Sequence, residues 1–215
     1  PQDYYQRFKA AMFDVIGPQG TWIVPTFSFS FCWKKKFDPE TTAGTCGALS
    51  ELLRQDPEAF RSEDANFSVA AVGQRAQRLV ADVPAHPVGA DSFWDRFWRA
   101  NGVFCNFNFD AASTFVHFVE RALNVPYRYD KAFTGIFERN GVQTERTYYH
   151  FVYDQQKPQH YPVFDKFDRL VRDRGYVRSA ALGKGSLVSI RAGDAYQGLV
   201  DGFARDPQLL IRGPL

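Results

Sequence analysis

Cysteine is scarce in this chain. Cys32, Cys46 and Cys105 are an odd three without CxxC spacing, which indicates neither a disulfide framework nor a zinc site and fits a reducing cytoplasm. Histidine is rare too, and His86, His150 and His160 show no metal-ligand spacing to one another, so no metal is expected. No apolar run approaches the roughly 18 residues of a membrane span, and no signal-peptide pattern opens the chain; no membrane partner is expected. Neither sign of charge is in large excess. The 26 basic and 24 acidic residues leave a formal net charge of +2, which gives no general pull toward nucleic acid or an anionic membrane. Internal repeats and low-complexity segments are missing as well.

What the chain has in quantity is aromatic rings, 16% of its residues, with phenylalanine the main cause. Clusters such as TFSFSFCW and FCNFNF predict a core or pocket walled by rings. At 215 residues one domain, 1–215, is the natural size for a single core. Apolar spacing predicts a helix from about Asp3 to Ile16, a buried strand in TWIVPTF, a helix in the TTAGTCGALSELLRQ segment, and either a short strand running into a helix or one helix in SVAAVGQRAQRLVAD. SFWDRFWRANG reads as a helix capped by Ser92 and closed by Gly102, followed by the strand-like GVFCNFN and a helix in STFVHFVERALN, capped by Ser113 or Thr114. Asn140 and Gly141 mark a hairpin, YVRSAALGKGSLVSIRA resembles a second one, FDKFDRLVRDRG lies between them as a short helix, and a helix capped by Asp194 closes the chain. Alternating helices and strands followed by C-terminal hairpins predict an α/β sandwich with a central mixed sheet and flanking helices.

Several side chains could carry chemistry. His117 and Glu120, three residues apart, share one helix face. Histidine takes a proton near neutral pH, and a carboxylate one turn on can hold its tautomer or stabilise the imidazolium. HxxE by itself also fits an ordinary polar helix face; its place at a helix start after a buried strand, where open α/β folds put ligands, favours function. Cys105 near a histidine could be a nucleophile, or a small core residue between Phe104 and Asn106. Arg61, Ser62, Asn66 and Ser68 cluster donors suited to phosphate or amide groups, or to a solvated loop. Arg128 and Lys131 would suit a diphosphate, or would pair with Asp130 at the surface. Lys34 to Lys36 read as a solvated turn that could also meet a phosphate.

In order along the chain, GTWIVPTFSFSFC, FDPETTAGTCGALSELLR, RSEDANFSVAAVG, STFVHFVE and VPYRYDKAFTG resemble the aminoglycoside 3-N-acetyltransferase family, including relatives that acylate amino sugars on nucleotide carriers. The resemblance implies an acyl-CoA-dependent N-acyltransferase of non-GNAT α/β fold, with acetyl-CoA or another short acyl-CoA as co-substrate. It implies His117 as general base and Glu120 as its partner, filling the family's TxxHxxE pattern. Coenzyme contacts carry over to Thr26, Phe27, Ser28, Arg61, Ser62, Ser68 and Thr114, and acceptor contacts to Asn106, Asn108, Tyr127, Arg128 and Lys131. The implied acceptor is a small-molecule amino sugar. Arg128, Lys131 and rings able to stack on a base tilt it toward a nucleotide-linked 3-amino-deoxysugar of surface polysaccharide biosynthesis, with an aminoglycoside, hence antibiotic resistance, as the alternative. From other classes, a non-catalytic ligand-binding relative and a Cys105-dependent hydrolase stay open. Exposed hairpins could pair in a homodimer. Two departures stand out: Asp64 and Ala65 replace the His-Pro or Asp-Pro of many relatives, and the family's several dozen residues before the equivalent of Pro1, with a His-Ser-Ser type motif, are not in this sequence.

Overall fold

In the computed structural model, which describes residues 2–214, the chain divides into two compact units. The first comprises Pro1–Pro87 and Ala132–Tyr149, the second Val88–Lys131 and His150–Leu215.

The first unit opens with α1 (Gln2–Ile16), β1 (Thr21–Pro25) and α2 (Ala48–Arg54), and continues through β2 (Phe60–Arg61), β3 (Val69–Gly73) and α3 (Ala76–Val80). Its sheet has the order β1-β3-β2 with antiparallel pairs, Thr21 opposite Gly73 and Pro25 opposite Val69. Tyr5 from α1, Trp22 and Val24 from β1, Leu53 from α2, and Ala70 and Val72 from β3 close one apolar core. The small residues of β3 let the strand be buried on both faces. Tyr5 buries its ring in that core and donates its hydroxyl to Asp56 at 2.6 Å, so the polar end of a buried ring is satisfied.

The second unit contains α4 (Phe93–Arg99), β4 (Val103–Phe107), α5 (Phe115–Ala122), α6 (Asp165–Asp173), β7 (Val177–Leu182), β8 (Gly185–Arg191) and α7 (Ala192–Arg205). Its sheet has the order β4-β8-β7, again antiparallel, with Cys105 opposite Ser189 and Ser179 opposite Val188. The expected wall of rings is here: Phe97 meets Phe104 at 4.8 Å, Phe104 meets Phe115 at 5.2 Å, and Trp98 stacks on Tyr196 at 4.5 Å. Ser92 caps α4 as expected, accepting from Asp95 N.

A long hairpin, β5 (Arg128–Arg139) and β6 (Val142–Tyr153), divides its residues between the units. Asn140 and Gly141 turn it, with φ of 52° and 75°, the left-handed pair that a two-residue type I′ turn requires.

The α/β class is as the alternation of elements predicts. A mixed central sheet is not what the strands form: the registers in both three-stranded sheets are antiparallel, and the parallel pairing among the described residues is an isolated bridge between Phe37 and Phe137. The reason is local where the connection is short, since a tight β7–β8 turn at Gly183 can only return its strand antiparallel. Two caps also differ. Thr114 and Arg191 precede α5 and α7 without a side-chain cap, and Asp194 lies within the first turn of α7.

Candidate active site

The approach to α5 is pinned before the helix begins. Asn108 turns the chain at φ 53° and accepts from Ser186 N at 2.9 Å. The Asn106 amide donates to the carbonyls of Asp110 and Ala112 at 2.7 and 2.9 Å. Asp110 accepts from Ala112 N at 2.8 Å, and Asp168 on α6 accepts from Ala111 N at 2.9 Å. Loop residues held at this many points direct the first turn of α5 to one place.

The far end of α5 is equally determined. Asn124, at φ 52°, ends the helix, with Asn124 N donating to Arg121 O at 3.0 Å and Val125 N to Glu120 O at 3.1 Å. Those two bonds are the Schellman pattern. The reversal sends the chain back along α5, so that Tyr127 and Arg128 arrive beside the side chain of Glu120.

Between these ends lies the dyad. Glu120 is 0% exposed, and its Oε2 is 2.6 Å from His117 Nδ1. With Nδ1–H donated to the carboxylate, Nε2 carries the lone pair, and the His117 side chain keeps 23% of its surface open. Tyr127 donates its hydroxyl to Glu120 Oε1 at 2.7 Å. Arg128 Nε is 2.7 Å from Oε2 as an ion pair, while Arg128 Nη1 donates to Phe151 O at 3.0 Å. Burial would raise the Glu120 carboxyl, but His117, Arg128 and Tyr127 together hold it below its ordinary value. Burial chiefly lowers the His117 pKa; Arg128 adds to the lowering and Glu120 opposes both. The result is an ionised carboxylate behind a neutral imidazole, the arrangement of a general base with its orienter.

Tyr127 and Arg128 were expected to face an acceptor. The side chains of both are buried, Arg128 at 4% exposure, and both reach Glu120. Asn106 likewise uses its amide on its own loop. Asn108 and Lys131 are exposed, and Thr114 is half-buried at the entry to α5. Asn124 was the available signal for the Tyr127–Arg128 reversal, because asparagine tolerates the left-handed position that ends helices.

The residues expected to contact the coenzyme, Thr114 excepted, belong to the first unit. Ser68 Oγ donates to Thr26 O at 2.8 Å, Ser62 Oγ accepts from Val69 N at 3.0 Å, and Ser28 Oγ donates to Ala65 O at 2.9 Å. Arg61 Nε reaches the hydroxyls of Thr26 and Ser68 at 3.2 and 3.1 Å, and its Nη atoms take the carbonyls of Pro39, Thr42 and Thr26. Phe27 is half-buried and meets Phe67 edge-on at 5.2 Å. The structure thus gathers Thr26, Arg61 and Ser68 into one network that fixes the loop after β1.

Cys105 is exposed on β4, and burial of its sulfur pushes its thiol up, opposite to an activated nucleophile. Among the described residues no cluster of three or more histidine, cysteine, aspartate or glutamate side chains could hold a metal ion, and no helix is long and apolar enough to cross a membrane.

An α/β chain that presents a neutral histidine on a buried carboxylate has an arrangement able to take up a proton. The family model for aminoglycoside 3-N-acetyltransferase matches residues 4–204, and the chain belongs to that family of N-acetyltransferases. The solved aminoglycoside acetyltransferase AAC(3)-Xa is 24% identical, with TM-score 0.78 over 92% of this chain and 79% of that one. AAC-IIIb, solved as a binary complex with CoASH, is 21% identical, with TM-score 0.79 over 94% and 84%. AAC-VIa bound to sisomicin is 22% identical, with TM-score 0.75 over 94% and 85%. These likenesses establish the fold. No curated protein matches the chain significantly.

Proposed function

We propose that this protein transfers an acetyl group from acetyl-CoA to an amine of an aminoglycoside-type amino sugar, with His117 as general base and Glu120 as its partner. The observation that supports this is the buried Glu120 carboxylate 2.6 Å from His117 Nδ1, which leaves the lone pair on Nε2. A sugar amine is largely protonated at neutral pH, so a proton must leave before its nitrogen can attack a thioester carbonyl. The ammonium gives up its first proton to solvent, and His117 Nε2 takes the second from the attacking nitrogen while the new C–N bond forms. The imidazolium so produced is stabilised by Glu120 across Nδ1–H. The C–S bond then breaks, and the His117 proton is available to the departing thiolate. Backbone N–H groups near the end of β1 are proposed as donors to the oxyanion, and Thr26, Phe27, Ser28, Arg61, Ser62, Ser68 and Thr114 as the coenzyme's surroundings.

For the acceptor, the geometry favours the aminoglycoside over the nucleotide-linked sugar. The nucleotide reading needed Arg128 free for a diphosphate, and Arg128 is committed to Glu120 and to Phe151 O. The family description and the AAC-VIa complex with sisomicin point the same way. The test is thiol release from acetyl-CoA with a panel of aminoglycosides and nucleotide-linked amino sugars. Release is expected with the aminoglycosides, and His117→Ala should lower it by about a hundredfold or more, the usual scale for a lost general base. Wild-type turnover in His117→Ala would remove the assignment.

A further inference from the structure

We propose that Tyr127 and Arg128 are positioning residues that clamp Glu120 and set the lowest pH at which His117 works as a base. This rests on the assignment of His117 as the base.

Three side chains converge on one fully buried carboxylate. Glu120 Oε1 takes the Tyr127 hydroxyl at 2.7 Å, while Oε2 is shared by His117 Nδ1 at 2.6 Å and Arg128 Nε at 2.7 Å. Both oxygens are held, so the carboxylate cannot swing on its helix, and the imidazole resting on it is oriented by residues beyond the dyad. Tyr127 is itself fixed, buried with Val125 and Ile211, its ring 6.1 Å from that of His160. Burial pushes its hydroxyl well above the ordinary range, so it stays a donor throughout catalysis.

Arg128 does something that Tyr127 cannot. Arg128 lowers the pKa of the buried Glu120 carboxyl, as His117 also does. Because guanidinium and imidazole share a single oxygen, a proton on His117 would place two cations against Oε2. Glu120 favours that protonated ring; burial and Arg128 oppose it. The cation therefore keeps Nε2 free of a proton to lower pH, and the Glu120 charge is still present to meet the imidazolium when it forms. The planar fork of arginine suits this place, since Nη1 reaches Phe151 O at 3.0 Å while Nε stays on Glu120.

The experiment follows the His117 ring by NMR titration, which needs no turnover, alongside the pH dependence of kcat/KM with acetyl-CoA and an aminoglycoside. In Arg128→Gln the ring should titrate at higher pH. The acid limb of kcat/KM should move up with it, so that the rate at pH 6 relative to pH 8 falls severalfold. Arg128→Lys should restore much of the titration position. Tyr127→Phe should lower kcat severalfold and leave acceptor KM unchanged. A folded Arg128→Gln whose ring titrates where wild type does would overturn the proposal, even with His117 essential. Should that variant not fold, Tyr127→Phe decides: a raised acceptor KM with unchanged kcat would return these residues to acceptor binding. Retained turnover in His117→Ala removes the base assignment separately, because the ring titrations of the other variants do not depend on it.

Discussion

Asp64 shows what a single buried carboxylate contributes. Its Oδ1 accepts from Asn66 N at 2.8 Å and Phe67 N at 2.9 Å. Burial pushes the carboxyl up to about 6, against the lowering by those two N–H groups. The sign follows from proton counts. Between its ordinary 3.8 and about 6, the folded chain holds a proton that the unfolded chain has released, so stability from this group falls as pH rises through that window. An asparagine side chain in this place would keep both hydrogen bonds, because one oxygen accepts both, and would carry no charge. Asp64→Asn is therefore expected to be near neutral at pH 4 and stabilising by about 1–3 kcal/mol at pH 8, measured by urea unfolding at the two pH values. Equal destabilisation at both would show that the carboxylate makes contacts the amide cannot replace. Nothing in the local sequence shows its raised proton affinity, which comes from burial.

At the scale of elements, α5 is held by its two ends. Its start has no side-chain cap, and the loop before it is fixed by Asn106, Asn108, Asp110 and Asp168. Its end is the left-handed Asn124, from which Tyr127 and Arg128 return to Glu120. At φ 52° a Cβ-bearing residue without a polar side chain is strained. Asn124→Ala should cost about 1 kcal/mol and Asn124→Gly little or nothing, read from thermal unfolding. An alanine variant as stable as wild type would mean that the helix ends another way. Much of this element was legible from sequence: the helix, its HxxE face and the hairpin at Asn140–Gly141 depend on local periods and local dihedral preferences. The direction taken by Arg128 was not, because a surface pair with Asp130 and a buried pair with Glu120 look alike along the chain. Asp130 pairs with Arg121 instead.

For the whole molecule, none of Cys32, Cys46 and Cys105 is in a disulfide, and burial pushes the Cys46 and Cys105 thiols up. No disulfide constrains the unfolded chain, so the unfolding midpoint should be the same with and without a thiol reductant, and Cys105→Ser should keep turnover. Loss of turnover in that variant would revive the hydrolase. The sequence by itself determined the α/β class, the absence of a cysteine framework, and the placing of His117 and Glu120 on one helix face. Each of these follows from composition or from the 3.6-residue period, which needs no distant partner. Tertiary structure decided which strands pair, that the strand pairs of both three-stranded sheets are antiparallel, and that Thr26, Arg61 and Ser68 bond to one another. It also made the HxxE of STFVHFVE more than a polar helix face, by enclosing Glu120 and bringing Tyr127 and Arg128 to it. The physical reason is burial: a carboxylate removed from water must find partners wherever the fold brings them, and no short stretch of sequence specifies that encounter.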